Sequence, residues 1–425
     1  MNNNKFDISN EETAIASPSG CCPFQGDTFP WSRERQSPLM PPPQYAQIRE
    51  QEPISRVKLW DGNSVWILTK MEDFRELLTS PHFSASPLTP GFPFITPSRE
   101  AQSKSYQTFI TMDPPDHGYY RRTMTKEFMI KRMQELRPSV QQALDGLLND
   151  MERKGAPADF IADVALPLPS LVISIMLGVP YEDHDKLQEW AGNRMDLSTS
   201  PEELTQSARN MSKYISGLLI EKERDPGDGS DLLSRMVIEW INPGKLSHDD
   251  AVQMGVLLYM AGHETTANQI GLGVLSLFQH PDQKAALMED ASLVKGAVEE
   301  MLRFHSITHM NANRVATEDV VIGGQLIRKG EGVLPLLHAA NHDPSVFPEP
   351  EKFDIFRDQK DHAHVAFSYG IHQCLGQPLA RLELQIVFET LFKRFPDLQL
   401  AVPFDELEFK SESFVYGLKT LPVTW

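Results

Sequence analysis

The sequence predicts a mainly α protein with small β-sheets (α+β), folded as one domain that follows a polar tail. Three amphipathic stretches with helical spacing, 116–150, 203–224 and 247–280, occupy most of the middle of the 425-residue chain. Short runs of β-type residues flank these stretches, and no linker divides residues 41–425. We therefore expect a single helical domain over 41–425, with a few small sheets at its edges.

Residues 1–40 are polar, with scattered Pro and Gly, and predict a poorly ordered tail. The tail has no apolar stretch, so we expect neither a signal peptide nor a membrane anchor. It holds Cys21 and Cys22, and the only other cysteine is Cys374. Three cysteines are too few for a disulfide framework, which favours a reducing compartment and a cytoplasmic location.

Alternating residues at 57–60 and 65–68, separated by Asp61 and Gly62, predict a β-hairpin. Residues 84–108 are rich in Ser, Pro, Thr and Phe and predict a long loop of the kind that often has a function.

The longest uncharged stretch, 164–181, contains prolines and is too short to span a bilayer, so we expect a buried helix over about 170–178. Residues 314–337 predict short strands with glycine turns, and 338–374 are mostly irregular. A long helix should follow Cys374, and short β segments should fill 398–425.

The charge balance limits the choice of partners. Lys and Arg number 40 against 58 Asp and Glu, which gives a formal net charge of -18. A chain this acidic repels nucleic acids and anionic membrane surfaces, so we expect neither as a partner.

The strongest chemical signal is the segment 367–376. Cys374 stands at the end of a glycine-containing loop, directly before a helix, where backbone N–H groups and the helix dipole favour a thiolate. Gly370 and Gly376 would let the backbone approach a flat cofactor, and Phe367 would shield the sulfur from water. These positions together argue against an ordinary buried cysteine.

A second segment, 261–266, places glycine and polar residues inside an otherwise apolar helix. Thr265 could bond back to a carbonyl and loosen the helix locally, beside the acidic Glu264. His263 and Glu264 begin a zinc-protease signature, but Ala267 stands where the second histidine is required.

Two further pairs share helix faces. His117 and Arg121, four residues apart, present two donor groups that suit a carboxylate, and Glu300 and Arg303, three apart, can form an ion pair. Arg357 follows the second pair by about fifty residues.

These four segments, in the order in which they occur along the chain, resemble the cytochrome P-450 superfamily over roughly residues 40–425. Ser368 stands where the family most often has glycine. The resemblance implies a triangular helical prism around a buried haem b, with Cys374 as the iron ligand and Ala261 close to the haem. It also implies that Glu264 and Thr265 relay protons, and that Glu300, Arg303 and Arg357 form a structural lock. Its propionate partners would be His117, Arg121, Arg314 and His372.

The implied activity is that of a monooxygenase that activates dioxygen and oxidises a small hydrophobic molecule. The chain has no flavin or nicotinamide fingerprint, so electrons from NAD(P)H should arrive through a ferredoxin and its reductase, and we expect a monomer. An acidic donor could dock on Arg122, Lys126, Lys131 and Arg132. The 195–205 connection should contribute to the substrate pocket, together with Phe92, Phe94, Ile95, Tyr259, Ile307, Met310, Asn311, Phe414 and Val415.

Three alternatives remain. The segment 53–62 is similar to the nitric oxide reductase branch of the superfamily, which lacks the acid-alcohol pair of Glu264 and Thr265. A non-enzymatic haem gas sensor would need no proton relay. A peroxide-driven peroxygenase usually has an Arg-Pro pair at these two positions.

Overall fold

The computed structural model describes residues 29–425 except 98, 101–102, 104–107, 196–199, 309, 359–363 and 412. Most of the predicted tail therefore lies outside the described residues. The packed region begins before residue 40, because Phe29 and Trp31 are buried with their rings edge to face, and the Trp31 ring lies 6.0 Å from that of Tyr45. The hydrophobicity of these aromatic residues outweighs the polar composition around them.

The helices account for most of the described chain. In order they are α1 (Gln44–Gln51), α2 (Met71–Thr79), α3 (Asp116–Thr125), α4 (Ile130–Lys154), α5 (Pro167–Leu177), α6 (His184–Met195), α7 (Pro201–Arg224), α8 (Leu232–Met236), α9 (His248–Gln279), α10 (Pro281–Glu289), α11 (Val294–His305), α12 (Leu337–Asn341) and α13 (Gln377–Arg394).

The central helix is α9, and it corresponds to the predicted helix over 247–280. Its first turn is capped by Ser247, whose hydroxyl accepts a hydrogen bond from the Asp250 N–H. It packs against α5, α7, α11 and α13, so its apolar residues are buried on nearly every side. At Gly273 an added Cβ would lie 2.7 Å from the Phe388 ring, so this crossing requires glycine.

The predicted helix over 116–150 is two helices. Helix α3 ends at Thr125, and Met129 adopts an extended conformation before α4 begins. No proline or glycine marks the break, and the amphipathic pattern continues across it, so periodicity alone could not locate it.

The largest sheet has five strands in the order β1-β2-β8-β5-β3. Strands β1 (Ile54–Lys58) and β2 (Ser64–Leu68) form the predicted hairpin, although β1 begins three residues earlier than expected. The remaining strands of this sheet are β3 (Phe83–Ser84), β5 (Arg314–Ala316) and β8 (Gly332–Pro335). Strand β2 pairs in parallel with β8, and Trp66 lies opposite Val333.

Two smaller sheets complete the fold. One joins β4 (Ala158–Asp159), β10 (Pro422–Thr424) and β9 (Gln399–Leu400), and the other is the hairpin of β6 (Val320–Ile322) and β7 (Gln325–Ile327). The mainly α fold with small sheets is thus confirmed. Among the described helices, none combines the length and apolarity that crossing a membrane requires.

Candidate active site

The loop before α13, residues 364–376, holds Cys374 and is termed the Cys loop below. The Cys374 N–H donates to the Phe367 carbonyl at 2.8 Å, and the Ser368 N–H donates to the Val365 carbonyl at 2.8 Å. Gly370 has a φ of +70°, and a Cβ there would lie 2.3 Å from the Leu78 carbonyl oxygen. The loop therefore needs glycine at this position because of its contact with Leu78, and the predicted approach of Gly370 to a flat cofactor stays a prediction.

The sulfur of Cys374 accepts hydrogen bonds from the N–H groups of Gly376 and Gln377 at the start of α13. Burial nevertheless raises the pKa of the thiol, and these two donors, with the Arg121 and Arg381 guanidiniums, only partly offset that effect. Helix position alone therefore does not give a thiolate here. Cys374 keeps accessible surface although the surrounding protein atoms desolvate its thiol, so a metal cation can contact the sulfur and would remove the proton.

Four donor side chains converge next to the Cys loop. The rings of His117 and His372 lie 4.1 Å apart, and both Arg121 and Arg314 lower the pKa values of the two histidines. Burial is the largest cause for both histidines, and together with the neighbouring positive groups it lowers the pKa of His372 to about 3. Arg121 also donates to the Gln373 carbonyl at 2.6 Å, which joins α3 to the Cys loop.

This donor cluster fits a buried anion. Arg314 is only 6% exposed, and burial lowers its pKa to about 10, while Asp113 acts in the opposite direction. His117 Nε2 and His372 Nδ1 are buried and have no hydrogen-bond partner among the described residues. Buried donors of this kind require acceptors, and the two propionates of a haem bound at Cys374 would supply them.

Ala261 is exposed, although most residues of α9 are buried. The Thr265 hydroxyl donates to the Ala261 carbonyl at 2.7 Å. The sequence predicted this hydrogen bond. It occupies the Ala261 carbonyl, which otherwise accepts only the backbone hydrogen bond of the helix.

The Glu264 carboxylate is held in place by a residue near the C-terminus. The Lys410 ammonium lies 2.8 Å from Glu264 Oε1 and 3.2 Å from Asn268 Oδ1. The second oxygen of Glu264, Oε2, is buried and lacks a hydrogen-bond partner among the described residues. The sequence analysis did not find Lys410, because nothing in the local pattern around it indicates that the C-terminal segment returns to α9.

Glu300, Arg303 and Arg357 form one buried network. Arg303 binds Glu300 through two hydrogen bonds of 2.8 and 2.7 Å, and Arg357 Nε lies 3.1 Å from Glu300. Arg303 also donates to the carbonyls of Asn341 and Pro350, at 2.9 Å each. The network therefore fastens the irregular segment before the Cys loop to α11.

A second network beneath the Cys loop was missed by the sequence analysis. Arg381 donates twice to Glu299, at 2.6 and 2.9 Å, and His364 Nε2 lies 2.9 Å from the same carboxylate. Burial alone would raise the pKa of Glu299, but the hydrogen bonds from His364 and Arg381 lower it to about 2. Arg381 also stacks on Phe367, 4.6 Å from its ring centroid.

The predicted pocket residues occupy different environments. Ile95, Met310 and Phe414 line a common cavity of about 130 Å³. Tyr259 is fully buried with its hydroxyl 2.8 Å from Ser170 Oγ, which gives it a packing role between α9 and α5.

The other five candidates do not line that cavity. They are the mutually stacked Phe92 and Phe94, the half-buried Ile307, the exposed Asn311 and the buried Val415. The 195–205 connection lies partly outside the described residues.

Known proteins share both the sequence pattern and the fold of this chain. The sequence model of the family Cytochrome P450 matches residues 40–415. Cytochrome P450-SU2 of Streptomyces griseolus is 44% identical over 94% of this chain and 97% of its own length.

Two further relatives are similarly close. The 20-oxo-5-O-mycaminosyltylactone 23-monooxygenase of Streptomyces fradiae is 42% identical over 93% of this chain and 92% of its own length. The crystal structure of cytochrome P450 MoxA from Nonomuraea recticatena superposes with a TM-score of 0.88 at 41% identity, covering 94% of this chain and 98% of that one.

Proposed function

Because the chain belongs to the cytochrome P450 family, and so is a haem-iron monooxygenase, we propose that it oxidises a small hydrophobic organic molecule with dioxygen and with electrons from separate redox proteins. The observation that carries this proposal is Cys374, an accessible sulfur hydrogen-bonded by two N–H groups at the start of α13. The name of the 42%-identical monooxygenase supports an organic substrate. The small number of cysteines supports a cytoplasmic location.

Haem b fits the residues that this chain provides. Cys374 would ligate the iron, and His117, Arg121, Arg314 and His372 would hold the propionates. Ala261 and Gly376 would leave room for the flat ring, since neither has a large side chain. A thiolate-ligated haem iron supplies the activation of dioxygen.

Thr265 and Glu264 are suited to control protons on the opposite side of the site. The Thr265 hydroxyl is fixed by the Ala261 carbonyl, and Glu264 is fixed at one oxygen by Lys410. Glu264 Oε2 therefore stays free of protein hydrogen bonds within the described residues and can take up or release a proton. Lys410 serves as a positioning residue for this carboxylate.

The electron donor would dock beside the Cys loop. Of the four predicted basic residues, Lys126 pairs with Glu239 at 3.0 Å and Arg132 pairs with Glu135 at 2.8 Å. Arg122 and Lys131 form no ion pair with the described residues, and the apolar side chains of Met129 and Ile130 are 57% and 74% exposed next to them. A basic patch with an apolar centre suits an acidic ferredoxin, which a reductase would supply with electrons from NAD(P)H.

The ferrous carbonyl spectrum of the purified protein tests the proposal. We expect the long-wavelength band of an anionic sulfur ligand in the native protein and its complete loss in Cys374→Ser. The matched control is the double variant Cys21→Ser, Cys22→Ser, which should keep the band. A native protein without the band would refute the haem-thiolate assignment.

The nitric oxide reductase alternative needs a separate assay. Rapid reduction of the nitric oxide adduct by NADH alone would favour that alternative over the monooxygenase. Glu264 with Thr265 argues against it, since that pair serves dioxygen chemistry.

A further inference from the structure

Met129 differs from the other methionines of this chain because its side chain lies at the surface. It is 57% exposed, whereas every other methionine whose side chain the structure describes is buried or half-buried. The thioether sulfur of methionine is oxidised by small oxidants where they can reach it. Among the described methionines, Met129 is therefore the one whose sulfur is open to oxidants in solvent.

Neither packing nor helix capping accounts for a methionine at this position. Met129 is the N-cap residue of α4, and its side chain makes no capping hydrogen bond. Ser, Thr, Asp and Asn stabilise an N-cap, because their side-chain oxygens accept hydrogen bonds from the free N–H groups of the first turn. The next residue, Ile130, is 74% exposed, so the two side chains form an apolar patch at the surface instead of joining the core.

The segment that carries Met129 lies against the Cys loop. Phe128 directly precedes it, and a Cβ added at Gly376 would lie 4.0 Å from the Phe128 ring. Arg122 and Lys131, which are close to the patch in sequence, form no ion pair with the described residues. Met129 therefore belongs to the apolar part of the basic surface that we propose for the electron donor.

Oxidation of the sulfur would change the chemistry of this patch. Hydrogen peroxide transfers one oxygen atom to the Met129 sulfur, and its O–O bond breaks as the S–O bond forms. The proton on the transferred oxygen passes to the departing hydroxide, which leaves as water. The sulfur is oxidised by two electrons and the peroxide is reduced by two. The product, methionine sulfoxide, is polar, so an apolar contact is replaced by a group that holds water.

We propose that Met129 is a reversible oxidation site through which hydrogen peroxide weakens the docking of the electron donor. Peroxide is the two-electron reduction product of dioxygen, and the enzyme releases it when that reduction is not followed by oxidation of the substrate. The proposal therefore rests on the proposed function and extends it to the control of electron supply. Fewer electrons then reach an enzyme that turns them into peroxide, and methionine sulfoxide reductases reverse the change.

The alternative is a surface methionine that is oxidised without consequence. On that alternative the sulfoxide changes the mass of the protein and leaves its binding properties unchanged. Met129 is not an isolated surface residue, however, because Ile130 extends the apolar patch and Phe128 connects it to the Cys loop. Interfaces with an apolar centre and a charged rim lose affinity when the centre becomes polar.

Peroxide treatment of the holoenzyme tests the first half of the proposal. The Cys21→Ser, Cys22→Ser protein is treated with hydrogen peroxide while cyanide occupies the iron, so that neither the tail thiols nor the haem consume the oxidant. Peptide mass spectrometry follows the gain of one oxygen atom at each methionine. We expect Met129 to be oxidised about tenfold faster than half-buried methionines such as Met40 and Met288.

The affinity for an acidic plant-type ferredoxin, measured at low ionic strength after removal of cyanide, tests the second half. We expect oxidation to raise the Kd about tenfold, the factor that burial of one methionine side chain is worth, and the two methionine sulfoxide reductases to restore it. Met129→Leu should give the same Kd before and after peroxide, and Met129→Gln should resemble the oxidised protein. The matched control Met288→Leu should keep the full response to peroxide, and the ferrous carbonyl band reports whether the haem site survives treatment.

Oxidation of Met129 no faster than that of the half-buried methionines would overturn the proposal, and so would an unchanged Kd after its oxidation. An equal loss of affinity in Met129→Leu would also overturn it, because the damage would then lie elsewhere. An untreated protein that has the carbonyl band but does not bind the ferredoxin would refute the docking surface and this proposal together. Absence of the carbonyl band before treatment would refute the proposed function itself.

Discussion

The two sides of the site differ in whether their buried carboxylates are fully paired with other side chains. On the thiolate side, comprising the Cys loop and the networks of Glu299 and Glu300, each of these buried carboxylates is paired with an arginine. On the opposite side, comprising Thr265, Glu264 and Lys410, one oxygen of the buried Glu264 carboxylate remains without a hydrogen-bond partner among the described residues.

This difference separates residues that stabilise the fold from residues that meet ligands. A buried polar atom without a partner costs about 1–3 kcal/mol, so a fold selected for stability alone would pair it. The unpaired oxygen of Glu264 fits the proposed proton relay, which needs a group that is free to take up a proton. The comparison predicts that substitutions on the thiolate side reduce stability, whereas those on the opposite side change activity or binding.

The largest effect on stability is expected for Arg303→Ala. Arg303 and Glu300 are fully buried, so the substitution leaves the Glu300 carboxylate with Arg357 as its remaining cationic partner and takes the Arg303 donor from three carbonyls. We expect the free energy of unfolding to fall by about 3–5 kcal/mol, measured by urea denaturation. Arg153→Ala, which removes an exposed pair with Asp150, should change it by less than about 0.5 kcal/mol. A change below about 1 kcal/mol for Arg303→Ala would contradict the structural role of the network.

Glu264→Gln should reduce activity rather than stability. With any ligand that shifts the spin state, and with surrogate redox proteins, product formation should fall by about 100-fold while peroxide release rises. Lys410→Gln should act in the same direction with a smaller effect, because it loosens the carboxylate without removing it. Glu408→Gln, on the same C-terminal segment and paired with Lys419 at the surface, is the control. Unchanged coupling in Glu264→Gln would refute the relay.

The pH dependence of stability tests whether the buried His305 is neutral. This histidine lies between Arg303 on the thiolate side and Arg33, which lines the same cavity as Phe414. Burial, and to a smaller extent Arg33 and Arg303, lower the pKa of His305 to about 3. The unfolded chain, with an ordinary histidine pKa of about 6.5, binds a proton that the folded protein does not, so stability is lost as pH falls below that value. This residue should contribute about 2 kcal/mol of destabilisation between pH 7 and pH 5.

His305→Gln should remove that contribution, which is measured as a flatter dependence of the urea midpoint on pH. The control is His82→Gln, whose side chain is about half exposed. An identical pH dependence in native and His305→Gln proteins would contradict the buried, neutral state of this histidine.

The smallest effect is expected for Ser368→Gly in the Cys loop. Ser368 has a φ of +62°, in the left-handed region that costs an L-residue roughly 1–2 kcal/mol. Glycine avoids that cost but loses more entropy on folding, so we expect a gain of about 1 kcal/mol in the free energy of unfolding. Ser368→Ala should give no such gain, since it keeps the Cβ. A loss of stability in Ser368→Gly would show that the serine side chain makes a compensating contact.

The same comparison explains what the sequence could predict. The Cys loop and the Glu300–Arg303 pair lie in short continuous segments, where spacing and turn chemistry identify the residues directly. The contact between Glu264 and Lys410 joins residues far apart in the chain, and so does the contact between Arg33 and His305. Such contacts depend on the path of the whole chain, which periodicity does not encode.

The limits of the fold prediction have similar causes. Helices α7 and α9, of 24 and 32 residues, were located to within two residues, because many turns share one pattern. The break at Met129 was missed because no helix-breaking residue marks it and the amphipathic pattern continues across it. The early start of the packed region depends on Phe29 and Trp31, two aromatic residues in a polar context.

The parallel pairing of β2 with β8 has a consequence for how the protein is made. Trp66 leaves the ribosome early, but its partner Val333 is synthesised only after most of the chain has emerged. During that interval β2 has a free edge on the side where β8 will bind, and such edges promote association between nascent chains. Slower translation at low temperature lengthens this exposure, so chaperones that shield strand edges should improve the yield of soluble product more than cooling does.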